Sequence, residues 1–259
     1  MSVEAFETLS VAIEGSIARL TLERPERLNS LSRRTLADLA ASARFLDGHR
    51  AVRATVITGR GRAFCAGFDL GDFSDPDPEV TLRDGAELGR LMAEAVTSMR
   101  SLTIAAIHGH CVGGGLVLAA ACDLRVAADD TRFAIPEVDL GIPLAWGGIP
   151  RLVREIGPAL TKELVLTCRP FGADEAKAAG FVNRVVPRAA LDGAADDLAS
   201  SIASKPAYAL FQTKTAVNAA AEELASTAQS FRDADVLVVA LADAESREAG
   251  RRYLRARRR

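Results

Sequence analysis

Two glycine-bearing turns and one proline-flanked glutamate are the places in this chain where residue type and spacing point to chemistry. The stretch Ala105-Ala106-Ile107-His108-Gly109-His110-Cys111-Val112-Gly113-Gly114-Gly115 continues into Leu116-Val117-Leu118-Ala119-Ala120-Ala121-Cys122-Asp123. It reads as a short apolar strand, a glycine-dense turn and a helix. Three successive glycines remove every Cβ where turn meets helix, so a ligand can approach the main chain closely. A helix that starts there points unpaired N–H groups and the positive end of its dipole into that space. An anion, or an oxygen becoming one, is the natural occupant. The turn Arg62-Ala63-Phe64-Cys65-Ala66-Gly67-Phe68-Asp69-Leu70 repeats the logic after an earlier strand. Neither turn is a phosphate loop, since no Gly-Lys-Ser/Thr follows, and neither has the three spaced glycines of a dinucleotide fingerprint. Either turn alone is consistent with plain packing. Two separately sourced N–H groups are, however, what an oxyanion hole requires.

The elements that must position these turns follow from periodicity. Residues 8–14 and 17–22 alternate as strands around Glu14-Gly15-Ser16, which predicts an N-terminal hairpin. Ser32 caps a helix carrying Leu36, Leu39, Ala40, Ala43 and Leu46 on one face and closed by Gly48. Arg53–Thr58 is a buried-type strand, and a helix from about 80 to 100 presents Leu82, Leu88, Leu91, Met92, Ala95, Val96 and Met99 as its apolar positions. Leu124–Ala128 and Arg132–Ile135 are further short strands, and a small one falls at Phe181–Pro187. From Arg188 to the end the pattern is three or four Ala-rich helices. Repeated β and α units feeding one core, followed by helices, predict an α/β fold. The acidic, proline-bearing segment Asp72–Glu79 is expected at the surface, exposed and mobile.

Composition narrows the class. The chain has 259 residues, is 49% apolar, and sets 32 Lys and Arg against 34 Asp and Glu for a net charge of −2. That near-balance gives no electrostatic case for nucleic acid or for a membrane surface. No run of about eighteen apolar residues predicts a membrane span, and the first residues lack the blocks of a signal peptide, so a cytoplasmic protein is expected. Cys65, Cys111, Cys122 and Cys168 form no CxxC pair and read as buried free thiols.

The two turns carry a resemblance. Phe64-Cys65-Ala66-Gly67-Phe68-Asp69-Leu70 and the run from Ala105 through Gly113-Gly114-Gly115 to Asp123 resemble the crotonase (enoyl-CoA hydratase/isomerase) superfamily. Glu23-Arg24-Pro25-Glu26-Arg27-Leu28-Asn29-Ser30-Leu31 is similar to that family's first CoA-contacting segment, and Ile135-Pro136-Glu137-Val138-Asp139-Leu140-Gly141 to its acidic segment. The likeness runs from residue 8 to the C-terminus with the motifs in family order. It implies a crotonase-like spiral of ββα turns over residues 1–190, and a helical oligomerisation region over 191–259 that builds trimers or dimers of trimers. It also implies an acyl-CoA thioester as substrate, with coenzyme A part of that substrate and no separate cofactor.

By the same resemblance, the N–H groups of Phe68 and Gly114 hold the thioester oxygen as it becomes an enolate, each such donor lowering a barrier by about 3–4 kcal/mol. Ala66, Asp69 and Leu70 would lie along the adenine and pantetheine, Arg27 and Leu28 on the other side. Tyr253 and Arg257, in the arginine-rich tail, are the nearest matches to a last-helix contact with the nucleotide. Hydratases of the family carry two acids, and here the first position is Val117 while the second is Glu137. One glutamate suffices to move a proton between two carbons of a stabilised dienolate, so the balance falls toward an enoyl-CoA isomerase. A hydratase acting through Glu137 alone, and an acyl-CoA-binding protein without catalysis, remain as alternatives. Ala145 stands where dehalogenases and dienoyl-CoA isomerases of the family place an aspartate. Asp139 reads as structural. His108 and His110 have no third ligand at metal spacing, so no metal is expected, and His110 reads as packed and neutral. Trp146 either shapes the acyl pocket or packs the core.

Overall fold

The N-terminal hairpin predicted from alternation forms, and a strand that precedes it is the edge of a large sheet. A computed structural model describes residues 2–74 and 81–257. Its strands are β1 (Ser2–Ala5), β2 (Leu9–Glu14), β3 (Ile17–Leu22), β4 (Ala54–Gly59), β5 (Leu102–Ile107), β6 (His110–Val112), β7 (Leu124–Ala128), β8 (Arg132–Ala134), β9 (Phe171–Gly172) and β10 (Arg184–Val186). Its helices are α1 (Arg33–Gly48), α2 (Gly71–Ser74), α3 (Leu82–Ser98), α4 (Gly114–Ala121), α5 (Gly148–Thr167), α6 (Ala173–Ala178), α7 (Leu191–Ala203), α8 (Ala207–Leu224), α9 (Asp233–Ala242) and α10 (Ala244–Arg257).

β1, β2 and β3 pair antiparallel, and β3, β4, β5, β7 and β10 continue the sheet in parallel. A second sheet holds β6 between neither neighbour of the first: it pairs β6 with β8 in parallel and β8 with β9 antiparallel. After β4 the chain bridges to this second sheet at Cys65, opposite Cys111, and then forms α3. After β5 it contributes β6 and then α4, and after β7 it contributes β8 and then α5. That is a spiral of ββα turns, and the glycine-bearing connections of the first two meet at Gly67 and Gly114.

β4 is buried at all six positions, as a parallel strand covered on both faces must be. One face packs on α1, α3 and α4 in the main core. The other carries Ala54, Val56, Ile104, Ala106, Val126 and Ala128, and α7 lays Leu191, Ala195 and Ala199 against them. Ser32 caps α1 as predicted, its Oγ accepting the Thr35 N–H at 3.1 Å. Thr81 does the same for α3 through the Asp84 N–H at 3.1 Å.

Leu82 and Leu91 depart from expectation: they are 53% and 44% exposed. Leu82 is the first residue of α3 and borders a cleft, so its apolar side chain faces a cavity instead of the core. β9 is two residues long and had no periodic signal to betray it. Of the acidic segment, residues 75–79 lie outside the described residues. Among the described residues, no helix is long and apolar enough to cross a membrane.

Candidate active site

The first turn is strapped down by main-chain hydrogen bonds on both sides. Cys65 N–H donates to the His110 carbonyl at 2.9 Å and Val112 N–H to the Cys65 carbonyl at 3.0 Å, so the turn lies along β6. On its other side Ala66 N–H donates to the Leu28 carbonyl, Leu31 N–H to the Gly67 carbonyl and Asp69 N–H to the Leu31 carbonyl. That alternation turns the Phe68 N–H away from the Leu31 segment. Asn29, buried, holds the approach by donating from Nδ2 to the carbonyls of Arg60 and Ala63 at 2.9 and 2.8 Å.

The second turn meets the first. Gly67 has φ +96°, and a Cβ there would stand 2.8 Å from the Val112 carbonyl oxygen and 3.6 Å from Gly114 N. The three consecutive glycines are each required by a different neighbour. A Cβ on Gly113 would lie 2.4 Å from Glu137 Oε1, one on Gly114 2.4 Å from Trp146 Cζ3, and one on Gly115 2.6 Å from the Cys65 carbonyl oxygen. Gly113 also needs φ +51° with ψ −117°, a conformation for residues without a Cβ. Gly114 opens α4, where helix geometry gives its N–H no intrahelical acceptor.

Glu137 reaches the same place from the loop after β8. The Ile142 N–H donates to its carbonyl at 2.9 Å and closes a turn that carries the side chain inward. Burial pushes the carboxyl up to about 7, against a smaller opposing effect of its own N–H. Its Oε2 is buried without a hydrogen-bond partner among the described residues. Such a carboxyl is poised to exchange a proton near neutrality.

Phe68, Gly114, Glu137, Ala66, Leu70 and Tyr253 all line one cleft of about 980 Å³, measured with its open mouth. Val117 stands in its wall, fully buried, and Ala145 lies there too. Trp146 fills a slot between two helices: a Cβ at Gly89 of α3 would come within 1.9 Å of its ring, and Gly114 of α4 bounds the other side. Its indole meets the Phe68 ring edge-on, centroids 5.9 Å apart. Arg151 fixes the backbone here, donating from Nη1 to the carbonyls of Trp146 and Gly147 at 3.2 and 3.1 Å. Trp146 therefore both packs the core and shapes the cleft.

Comparison with known proteins bears on this arrangement directly. The family model described as enoyl-CoA hydratase/isomerase matches residues 12–259. The chain belongs to the enoyl-CoA hydratase/isomerase family. It is 37% identical over 223 residues to a probable enoyl-CoA hydratase of Mycobacterium bovis, covering 84% of this chain and 83% of that one. It is 34% identical over 229 residues to a peroxisomal Δ(3,5)-Δ(2,4)-dienoyl-CoA isomerase of Arabidopsis thaliana, covering 83% and 82%. An enoyl-CoA hydratase/isomerase from Mycobacterium paratuberculosis superposes with a TM-score of 0.88 at 29% identity, over 96% of this chain and 100% of that one.

Asp69, Arg27 and Leu28, which the resemblance also singles out, are not among the residues that line the cleft. Asp69 is committed elsewhere: its Oδ2 pairs with Arg24 Nη2 at 2.7 Å and its Oδ1 accepts the Gly71 N–H at 3.1 Å. Burial works to raise that carboxyl, but the Arg24 guanidinium and the Gly71 N–H outweigh it and hold it below its ordinary value. Arg27 is exposed, next to Leu28, whose left-handed backbone (φ +50°) presents the carbonyl that holds Ala66. Tyr253 lines the cleft of its own chain, its phenol oxygen buried. Arg257 ends α10, and its side chain lies outside the described residues.

His110 departs from the expectation that it packs. His110 is exposed on β6 and does not pack, whereas His108 is buried, 3.1 Å from the Gly61 carbonyl, with burial holding its pKa below the usual value. Cys65, Cys111 and Cys122 are buried free thiols, and Cys168 is half-buried. No group of metal-ligating side chains gathers among the described residues. Sequence reasoning passed over Arg33, Arg125 and Arg151, because an arginine's task is set by what tertiary packing brings to it.

Proposed function

We propose that this family member moves the double bond of an enoyl-CoA thioester, with Glu137 taking a proton from C2 and returning one to C4. The thioester oxygen, as it becomes an enolate oxygen, accepts hydrogen bonds from the N–H groups of Phe68 and Gly114. The observation that carries the reading is the pairing of a buried, partnerless Glu137 oxygen with an apolar Val117 in the same wall. Asp72, the other carboxyl lining the cleft, is tied at 2.6 Å to the Arg33 main-chain N–H. Water addition asks for two groups that orient a water and deliver its proton, and this wall offers one free carboxyl.

A second reading has its own support: the Mycobacterium bovis relative is called a probable hydratase. One experiment separates them. Purified protein is incubated with 3-enoyl-CoA and, separately, with 2-enoyl-CoA, and both products are followed. Isomerisation lost in Glu137→Gln supports the proposal. Water addition to the 2-enoyl thioester without isomerisation would make the protein a hydratase, and tight binding without turnover an acyl-CoA-binding protein. Assembly into trimers belongs to the same proposal, and the exposed apolar side chains of α8 favour it.

A further inference from the structure

Among the described residues that line the cleft, Arg33 alone carries a positive charge. Its head lies along the bare backbone of α3 at the buried Gly85, where a Cβ would come within 3.2 Å of Arg33 Nε. Nη2 donates to the Asp72 carbonyl at 3.1 Å, while the Asp72 carboxylate is turned to the Arg33 main-chain N–H. No carboxylate of the described residues makes an ion pair with this guanidinium. A guanidinium has five N–H donors in a fixed fork, so the bond to the Asp72 carbonyl leaves donors for a ligand. Phe68, Leu70, Leu82 and Ala86 line the same cleft. A plain alkyl chain laid there would strip water from the charge and return nothing. A carboxylate would accept two parallel hydrogen bonds from the fork.

We propose that the cleft selects enoyl-CoA thioesters whose acyl chain ends in a carboxylate, with Arg33 as the residue that reads that group. The inference rests on the acyl-CoA reading above. Phosphate oxygens of the nucleotide offer similar oxyanion chemistry, and the test separates the two sources.

The full chain is assayed on an enoyl-CoA with a terminal carboxylate, on the methyl ester of the same length, and on the matching pantetheine thioesters, which lack the nucleotide phosphates. The carboxylate is expected to exceed the ester in kcat/KM by about 10- to 100-fold in both series, the range a charge-assisted hydrogen-bond pair supplies. Arg33→Met should collapse that ratio, and Arg33→Lys should restore part of it. No preference in the wild type overturns the proposal without need of any variant. So does a loss in Arg33→Met that falls equally on all CoA thioesters and vanishes in the pantetheine series. If no thioester turns over, the enzymatic reading fails separately. The Arg33 inference is then still decided by calorimetric binding of the saturated carboxylate and ester thioesters, equal affinities overturning it.

Discussion

At the scale of the residue, the proposed mechanism has Glu137 set catalysis against stability. Its carboxyl sits near 4.5 when exposed and is pushed up to about 7 in the fold. A raised carboxyl contributes stability that is complete below the unfolded value and lost as pH rises through the folded one. Between those limits the native state therefore loses about 3 kcal/mol to the buried charge. Glu137→Gln should remove that slope, so urea denaturation at pH 8 should find the variant more stable than wild type, and the advantage should shrink toward pH 4.5. Isomerisation should move the opposite way. Wild-type kcat/KM on 3-enoyl-CoA should climb through about pH 7 as the base ionises, and the Gln variant should lose about 10²–10⁴-fold. A flat profile, or a Gln variant with wild-type turnover, would remove Glu137 from the mechanism. Glu137 and the two glycine turns were legible in the sequence because each belongs to a short contiguous motif. Arg33 was not, because its place against Gly85 and Asp72 joins three separate segments.

At the scale of the element, α4 is an eight-residue helix buried along its whole length, with no side-chain cap at its start. Its opposite end is held instead. Arg125, 2% exposed, donates from Nη1 to the Cys122 carbonyl at 2.8 Å and pairs with Glu155 at 2.6 Å. A cation there satisfies terminal carbonyls and complements the helix dipole. Arg125→Met should cost about 1–3 kcal/mol in denaturant, since it takes the donor from the Cys122 carbonyl and from the partly exposed Glu155. The glycine end makes a different prediction. Gly114→Pro deletes the N–H but also brings a ring toward Trp146, whose Cζ3 stands 2.4 Å from the Cβ position. An ester link in place of the amide at Gly114 removes the N–H alone and should lower kcat about 10²–10³-fold. The same slot makes Gly89→Ala disruptive, by about 1–3 kcal/mol, because the indole must leave its place. As Trp146 is the single tryptophan, its fluorescence reports that movement without a label. An unshifted spectrum would show that the slot yields elsewhere. The strand and helix that carry the glycines were legible from apolar runs, but the reason for three glycines in a row appears only in their three neighbours.

At the scale of the whole molecule, the last helices close what the first turns open. α10 lies against the loop that carries Glu137, since a Cβ on Gly141 would meet the Ser246 carbonyl at 2.1 Å. Leu237 and Leu241 of α9 and Tyr253 of α10 complete the cleft wall. Local patterning predicted these helices but could not say that they return to the site, because that contact spans more than a hundred residues. α8 leaves large apolar side chains to water, Val217 and Leu224 on one face and Tyr208 on the opposite one. Lys214 is its buried residue, donating to Asp123 Oδ2 at 2.8 Å, while Tyr208, Val217 and Leu224 are 77%, 61% and 81% exposed. Large apolar side chains spaced along one helix and left to water favour association with another copy. The expected outcome is a sedimentation mass three or six times that of the chain. Paired substitution of Val217→Asp and Leu224→Asp should bring that mass down to one chain while the far-ultraviolet circular dichroism stays unchanged, because neither side chain packs into its own fold. A wild type that sediments as one chain would refute the assembly. An oligomer that survives both aspartates would move the interface away from α8.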